Sequence, residues 1–258
     1  ARVALIAVEP EPEEVKKLKK QGFTQKVLEE SLRHRRLWIA QLGGDAEPRR
    51  LELPGSAFQV RWSPAGDLLA VALAPTPLVD DRYMAQRIHV VKVDDGSMQG
   101  TVDHAGKLGE LRFAPDGARL AFIAGADLHD PSDGTLFVVP VAGGVPTALT
   151  AGLEATVEDL AWADPTTVVA LLAERSASAL VRFDAATGRS ERLAIAGDDA
   201  VFSSLTAGNG RLALVGSSPR HPSEAFAAPI DGGPARRLTD SNPWLAGVAL
   251  ARQESITF

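Results

Sequence analysis

The sequence contains no cysteine, which excludes a disulfide framework and a thiolate metal site and is compatible with the cytoplasmic location that we expect. It also lacks an apolar run long enough to cross a bilayer, so we expect no membrane partner. The formal net charge is −6, whereas binding of nucleic-acid phosphates requires a clustered excess of Lys and Arg. We therefore expect no nucleic-acid partner.

A nucleophile motif is also missing. An α/β-hydrolase carries its serine on a sharp strand-to-helix elbow, normally Gly-x-Ser-x-Gly, and the nearest string here is "GSSPR" from Gly216. It ends in arginine and lies in a strand-loop-strand context. His221 follows Arg220, with no acid spaced to orient it, so a structural role is favoured over a catalytic one. This chain by itself is predicted to carry no catalytic residues.

The segment "DLHDPSD", Asp127 to Asp133, contains four metal-ligating side chains. It lacks the alternating carboxylates, the central glycine and the closing glutamate of a calcium loop. Asp side chains in such loops more often accept hydrogen bonds from their own backbone. We therefore expect no metal site and no cofactor.

Internal repeats indicate the fold. The segments "VRWSPAGDLLAVAL" from Val60, "LRFAPDGARLAFIA" from Leu111 and "LAWADPTTVVALLA" from Leu160 align, and "LTAGNGRLALVG" from Leu205 keeps the turn and the second strand. In each, an apolar strand leads into turn residues and a second apolar strand. The third copy has Asp-Pro-Thr-Thr in place of Pro-x-Gly, which leaves its turn geometry open. The spacing, about 45 to 50 residues, is typical of propeller blades.

A second hairpin follows each of these, turning at Gly-Gly, Asp-Gly or Thr-Gly. Two hairpins per repeat give four antiparallel strands, which is one propeller blade. Five second hairpins occur, at residues 37–53, 88–104, 136–150, 180–195 and 225–239. The fold class is therefore predicted to be all-β, a β-propeller of four-stranded antiparallel blades with about five blades present, as part of a seven-bladed ring.

The domain boundaries follow from the same pattern. Residues 1–245 are assigned to the blades, with an incomplete first blade and a charged insertion at 9–36. The insertion contains the basic runs at Lys16 and Arg33, which glutamates flank, as on a solvated face. Since the first blade lacks an opening strand, we expect further blades upstream. Residues 246–258 are predicted to begin a link to another domain.

The stretch "SSPRHPSEAFAAPIDGGPARRLTDSN", Ser217 to Asn242, resembles the last propeller blade of the prolyl oligopeptidase family of serine peptidases, in its acylaminoacyl-peptidase-like branch. The strings "WSPAGDLLA" and "PTPLVDDRYMAQRIHVVKV" are similar to that family too. The resemblance implies a C-terminal α/β-hydrolase domain in the same protein, with the Ser-His-Asp catalytic residues, and a propeller that gates access for short peptide substrates. It also implies a homo-oligomer.

Two other functions stay open. One is a non-catalytic propeller scaffold for protein–protein interaction, and the other is a TolB-like periplasmic propeller, since TolB-type proteins share the Ser-Pro-x-Gly hairpin.

Candidate substrate-binding residues are Arg82, Arg175 and Arg220. They lie in variable loops predicted to join the second and third strands of their blades, at residues 74–86, 173–179 and 217–225; a fourth such loop spans 125–135. A guanidinium grips a peptide carboxylate through two parallel hydrogen bonds. The alternative, favoured for any single arginine, is pairing with a nearby acid such as Asp80, Asp81, Glu174 or Glu224.

Overall fold

The computed structural model describes residues 1–27, 29–196, 200–254 and 256. Within these residues most of the regular secondary structure is β-strand. The helices are α1 (Glu13–Lys20), a π-helix (Asp81–Ala85) and a 3-10 helix (Pro243–Gly247). The strands are β1 (Arg2–Val8), β2 (Arg35–Gln41), β3 (Arg49–Arg50), β4 (Ser56–Trp62), β5 (Leu68–Ala74), β6 (Arg87–Lys92), β7 (Met98–Val102), β8 (Leu108–Phe113), β9 (Arg119–Gly125), β10 (Gly134–Pro140), β11 (Gly143–Gly144), β12 (Thr147–Ala148), β13 (Thr156–Trp162), β14 (Thr167–Glu174), β15 (Ala177–Asp184), β16 (Ser190–Arg192), β17 (Ile195–Ala196), β18 (Val201–Gly208), β19 (Arg211–Ser218), β20 (His221–Pro229), β21 (Gly233–Pro234) and β22 (Arg236–Arg237).

The chain divides into two compact units. The first unit comprises residues 1–108 and 139–146, and the second comprises residues 109–138 and 147–258. In the first unit, β1-β2-β3 form a three-stranded sheet, and β4 to β7 form a four-stranded sheet that β11 extends in parallel beside β7. In the second unit, the four-stranded sheets are β8-β9-β10-β12, β13-β14-β15-β16 and β18-β19-β20-β22.

In three of the sheets the second strand is the most deeply buried. In β5, β9 and β14 nearly every residue is buried, and their sequences are continuous runs of Leu, Ala, Val, Ile and Phe. A short continuous apolar run is the pattern of a strand that is covered on both faces. These strands form the centre of the hydrophobic clusters of their units.

The hairpin turns close as the repeat predicts. Gly66 has a φ of 75°, a left-handed conformation that glycine adopts without steric cost, and its N–H donates to the Ser63 carbonyl at 2.9 Å. In the aberrant third copy, the Asp164 carboxylate instead accepts from the backbone N–H groups of Thr166 at 2.7 Å and Thr167 at 3.0 Å. An aspartate side chain therefore closes the turn that lacks the glycine.

The start of the third strand of one sheet is hydrogen bonded to the start of the first strand of the next sheet. In every case one partner lies at or just before a third strand and the other at or just before the following first strand. In the first unit the pair is Arg35 N–H to Ser56 Oγ at 2.9 Å. In the second unit the pairs are Thr156 Oγ1 to Asp133 Oδ1 at 2.8 Å and Phe202 N–H to Ser178 Oγ at 2.9 Å.

Close backbone approach accompanies one of these bonds. A Cβ atom on Gly134 would lie 2.3 Å from the carbonyl oxygen of Val157, in the neighbouring sheet of the second unit. A backbone atom cannot rotate away as a side chain can, so the two sheets would have to separate.

We expect Gly134→Ala to lower the free energy of unfolding by about 2 kcal/mol, the usual cost of overpacking. Urea denaturation measures it. The matched control is Gly208→Ala, because a Cβ there meets nothing within 4 Å and should leave stability within about 0.5 kcal/mol. Equal stability of the two variants would contradict a close sheet-to-sheet contact at Gly134.

Candidate binding surface

The connections between second and third strands are the most variable part of the fold. The four loops identified in the sequence each join such a pair, namely β5–β6, β9–β10, β14–β15 and β19–β20. The charged insertion is a fifth. It joins β1 to β2, and β2 makes the third-strand bond through Arg35 to Ser56 in β4. Sequence reasoning did not place the insertion on this surface, although "ARVALIAV" and "RRLWIAQ" have the apolar content of paired strands.

In the first unit, one aromatic ring joins two of these connections. The guanidinium carbon of Arg82, in the β5–β6 connection, lies 5.4 Å from the ring centroid of Phe58, and that of Arg35, at the end of the insertion, lies 5.3 Å from it. Both distances permit cation–π attraction. The neighbouring Asp81 accepts a hydrogen bond from the Thr76 hydroxyl at 2.7 Å. Arg82 therefore stacks on a ring, and the Asp81 carboxylate binds Thr76.

A carboxylate closes the base of the insertion. Glu9 Oε1 accepts from Arg36 Nε at 2.6 Å, and Glu9 Oε2 accepts from the His34 N–H at 3.2 Å. Arg36 also donates to the Gly55 carbonyl at 2.7 Å. The Arg36 hydrogen bond lowers the pKa of Glu9 below its ordinary value. The two ends of the insertion are thus held against each other and against Gly55, the residue before β4.

Large apolar side chains are exposed on both connections of the first unit. Phe23 and Val27 in the insertion are 58% and 59% exposed, and Val79 and Tyr83 in the β5–β6 connection are 67% and 58% exposed. Leu18, Leu32 and Met84 are exposed as well. The sequence signal for them was available, because these residues interrupt polar segments without the alternation of a strand.

The second unit contains the other two candidate arginines. Arg175 is exposed in the two-residue β14–β15 turn with a φ of 54°. Its neighbour Glu174 pairs instead with Arg192 Nη1 at 2.8 Å. Arg220 is exposed in the β19–β20 turn and lines a cavity of about 400 Å³. The other lining residues are His221, Arg237, Asp240, Asn242, Pro243, Leu245, Ala246, Val248 and Leu250.

A buried carboxylate fixes one wall of that cavity. Glu224, which is 3% exposed, accepts hydrogen bonds from the hydroxyl of Thr239, from the N–H of Ser241 at 2.7 Å and from its hydroxyl at 3.2 Å. The Thr239 bond is the main cause of a pKa below the ordinary carboxyl value. Through these hydroxyl and amide donors Glu224 holds the segment that follows β22.

The string from Gly216 and the His221 side chain are part of the β19–β20 hairpin. Gly216 to Ser218 end β19 and enter a two-residue turn to β20, so the string "GSSPR" forms no strand-to-helix elbow. His221 is buried, its Nδ1 lies 2.8 Å from the Pro222 carbonyl, and its ring packs 5.8 Å from that of Phe226.

The segment from Asp127 to Asp133 forms a local turn. The Asp127 carboxylate accepts from the His129 N–H at 2.7 Å, as expected for a backbone-capping aspartate. Over the described ranges, His, Asp and Glu form no group of three that could hold a metal ion. In the same part of the chain, no helix has both the length and the apolar content to span a bilayer.

We expect Glu224→Gln to speed hydrogen exchange at the Ser241 amide, since a neutral amide accepts more weakly than a carboxylate. The matched control, Glu191→Gln, removes an exposed carboxylate bound to Arg182 and should leave Ser241 unchanged. Because the folded pKa is depressed, the carboxylate's stabilising contribution is complete above its ordinary pKa of 4.5 and is lost as pH falls through the lower value. The exchange rates of the Ser241 amide in wild type and in Glu224→Gln should therefore become equal at acid pH. A difference in rate that persists there would contradict this role of Glu224.

Solved structures with similar folds include a TolB protein and two peptidases. A putative TolB from Agrobacterium tumefaciens is 17% identical with a TM-score of 0.55, and the match covers 76% of this chain and 66% of that one. A puromycin-hydrolyzing peptidase from Mycobacterium tuberculosis is 18% identical with a TM-score of 0.63, covering 82% and 34%. Pyrococcus horikoshii acylaminoacyl peptidase is 15% identical with a TM-score of 0.64, covering 95% and 38%.

The chain therefore spans from about a third to two thirds of the length of these proteins. At identities this low, structural similarity shows a shared fold and no more. The predicted β-propeller fold is confirmed. The resemblance to the propellers of prolyl oligopeptidase-type enzymes is likewise confirmed at the level of fold. No curated protein sequence matches the chain.

A sequence family described as "Lipoprotein LpqB beta-propeller domain" matches residues 22–221. The match includes the last part of the insertion and the sheets up to the beginning of β20. It covers well over half of the 258 residues. The chain belongs to the lipoprotein LpqB β-propeller domain family.

Proposed function

We propose that this chain is a non-catalytic, protein-binding propeller of a lipid-anchored protein. The observation that carries the proposal is the exposed apolar side chains of the β5–β6 connection in the first unit, Val79, Tyr83 and Met84, next to Arg82 on the Phe58 ring. Contiguous exposed apolar side chains mark interaction sites. We define the partner surface as Arg82, Tyr83 and Met84 together with Val79.

The composition of the partner surface supports this role. Tyr, Met and Arg are enriched at the centres of protein interfaces, and Tyr and Arg are frequent hot spots. Arg82 is already oriented by its stacking on Phe58, so less side-chain entropy is lost when it binds. The surface thus combines an oriented cation with exposed aromatic and apolar groups.

The family description supports the lipid anchor. It names a lipoprotein, and a lipid-anchored propeller would work at a membrane surface. The cytoplasmic location expected from the absence of cysteine is an untested alternative. A homo-oligomer likewise stays a prediction.

A second candidate function is the peptidase gate inferred from the resemblance. It is favoured by the structural match to acylaminoacyl peptidase, which covers 95% of this chain, and by the cavity that Arg220 and Arg237 line together. In that case a C-terminal α/β-hydrolase domain of the same protein would be the catalytic partner. Arg175 and Arg220 would anchor the carboxylates of short peptides.

We expect a photo-cross-linking amino acid at Tyr83 to capture a discrete partner in cells that produce the full-length protein. The same group at Val145, which is 77% exposed and lies outside the two connections, serves as the matched control. Tyr83→Ala should weaken binding of that partner by roughly 30-fold, the effect of a hot-spot truncation of about 2 kcal/mol. Equal capture from both positions would contradict a defined partner surface.

A fluorophosphonate probe separates the two candidates. We expect no serine of the full-length protein to be labelled, since the first proposal contains no catalytic step. Labelling would instead support the peptidase gate. Arg175→Ala and Arg220→Ala should then lower kcat/KM by about 1.5 to 3 kcal/mol, and only for peptides with a free C-terminal carboxylate, as expected for a charge-assisted hydrogen bond.

A further inference from the structure

Lysine is concentrated in one segment of the chain. Five of the seven lysines lie between Lys16 and Lys26, and basic residues elsewhere are almost all arginine. Residues 9–36 contain eight Lys and Arg against six Glu, a net charge of +2. Since the whole chain carries −6, the remaining residues carry −8. The insertion is thus a positive segment on a negative protein.

Three of these lysines are available for a partner. Lys16 pairs with Glu13 at 2.6 Å, and Lys19 pairs with Glu11. Lys17, Lys20 and Lys26 are exposed, and no acidic group of the described ranges lies within ion-pair distance of them.

Exposed apolar side chains alternate with these lysines along the chain. Leu18 follows Lys17, Phe23 lies three residues beyond Lys20, and Val27 follows Lys26. The three are 48%, 58% and 59% exposed, and α1 has no buried residue. The insertion therefore presents cations and apolar groups together to solvent, and its own fold does not use them.

We propose that the insertion, residues 9–36, binds a bilayer surface that carries anionic phosphate headgroups. Lys17, Lys20 and Lys26 contact the headgroups, and Leu18, Phe23 and Val27 enter the boundary between headgroups and acyl chains. Segments that combine basic residues with Phe and Leu bind at this depth. The inference rests on the proposed lipid anchor, which would keep the domain close to such a surface.

The choice of lysine favours a bilayer over an acidic protein. Lysine is depleted at protein interfaces, where the planar fork of arginine matches a fixed carboxylate. Lysine is a compact charge on a flexible chain, suited to headgroups that have no fixed arrangement. The chain uses arginine almost everywhere else, so lysine in this segment is a local departure.

The charge of the remaining residues favours contact with the bilayer through the insertion. The net charge outside the insertion is negative, so an anionic surface repels the body of the domain and attracts the insertion. The Glu9–Arg36 ion pair holds the base of the insertion to β2, so its attachment also orients the first unit. The sequence expectation of no membrane partner considered only membrane-spanning runs, and surface attachment requires none.

Vesicle co-sedimentation tests the proposal with the purified 258-residue chain. We expect binding to phosphatidylcholine vesicles that contain phosphatidylglycerol, weaker binding at high salt because of screening, and little binding to phosphatidylcholine alone. Each lysine near such a surface contributes about fivefold to the partition coefficient. Lys17→Ala/Lys20→Ala should thus bind roughly 25-fold more weakly, and Phe23→Ser should also reduce binding.

Lys92→Ala is the control, since Lys92 is exposed in β6 outside the insertion. It should bind as wild type does, and thermal melts should show that every variant is folded. Equal binding to both kinds of vesicle, equal losses for Lys92→Ala and the double variant, or no binding at all would overturn the proposal. If the double variant instead weakens Tyr83 cross-linking without any vesicle binding, the lysines serve a protein partner. Because the vesicle assay contains no protein partner, its failure leaves the cross-linking result, and with it the proposed function, unaffected.

Discussion

The hydrogen bonds between the third strand of one sheet and the first strand of the next determine where variation is possible. They recur at the same topological position within each unit, as in Arg35 to Ser56 and Phe202 to Ser178. A third strand whose start is fixed in this way has a fixed register with its neighbours. The segment that precedes it can then vary in length without disturbing the sheet. This is why a two-residue turn at Arg175 and the long insertion between β1 and β2 can occupy equivalent places.

The sequence was sufficient for the fold because each repeat encodes its hairpins locally. Turn residues such as Gly66 and the buried runs of β5 and β14 determine the strands before any long-range contact is known. The ion pairs were not predictable in the same way. Glu174 is adjacent to Arg175 but contacts Arg192, 18 residues away, across the sheet. Phe58 was missed because its role depends on two arginines that come together only when the first unit folds.

The motif that carried the peptidase resemblance has a structural explanation. In the stretch from Ser217 to Asn242, His221 packs on Phe226 and Glu224 binds Thr239 and Ser241. These contacts fix the path of the chain after β22. They serve the fold of the sheet and require no catalytic function. Such a motif reports the fold, whereas function depends on the groups that the connecting loops expose.

The closed base of the insertion makes it separable from the sheet. Val8 is already paired with Arg35, and the Glu9 N–H donates to the His34 carbonyl at 2.9 Å. Because the entropic cost of a loop grows only slowly with its length, by about 0.6 kcal/mol for each doubling, the segment between these residues can lengthen or shorten at little cost to folding. The position is therefore a natural site for grafting foreign sequences, and over evolution a place where a propeller of this kind can gain or lose a binding element in a single step.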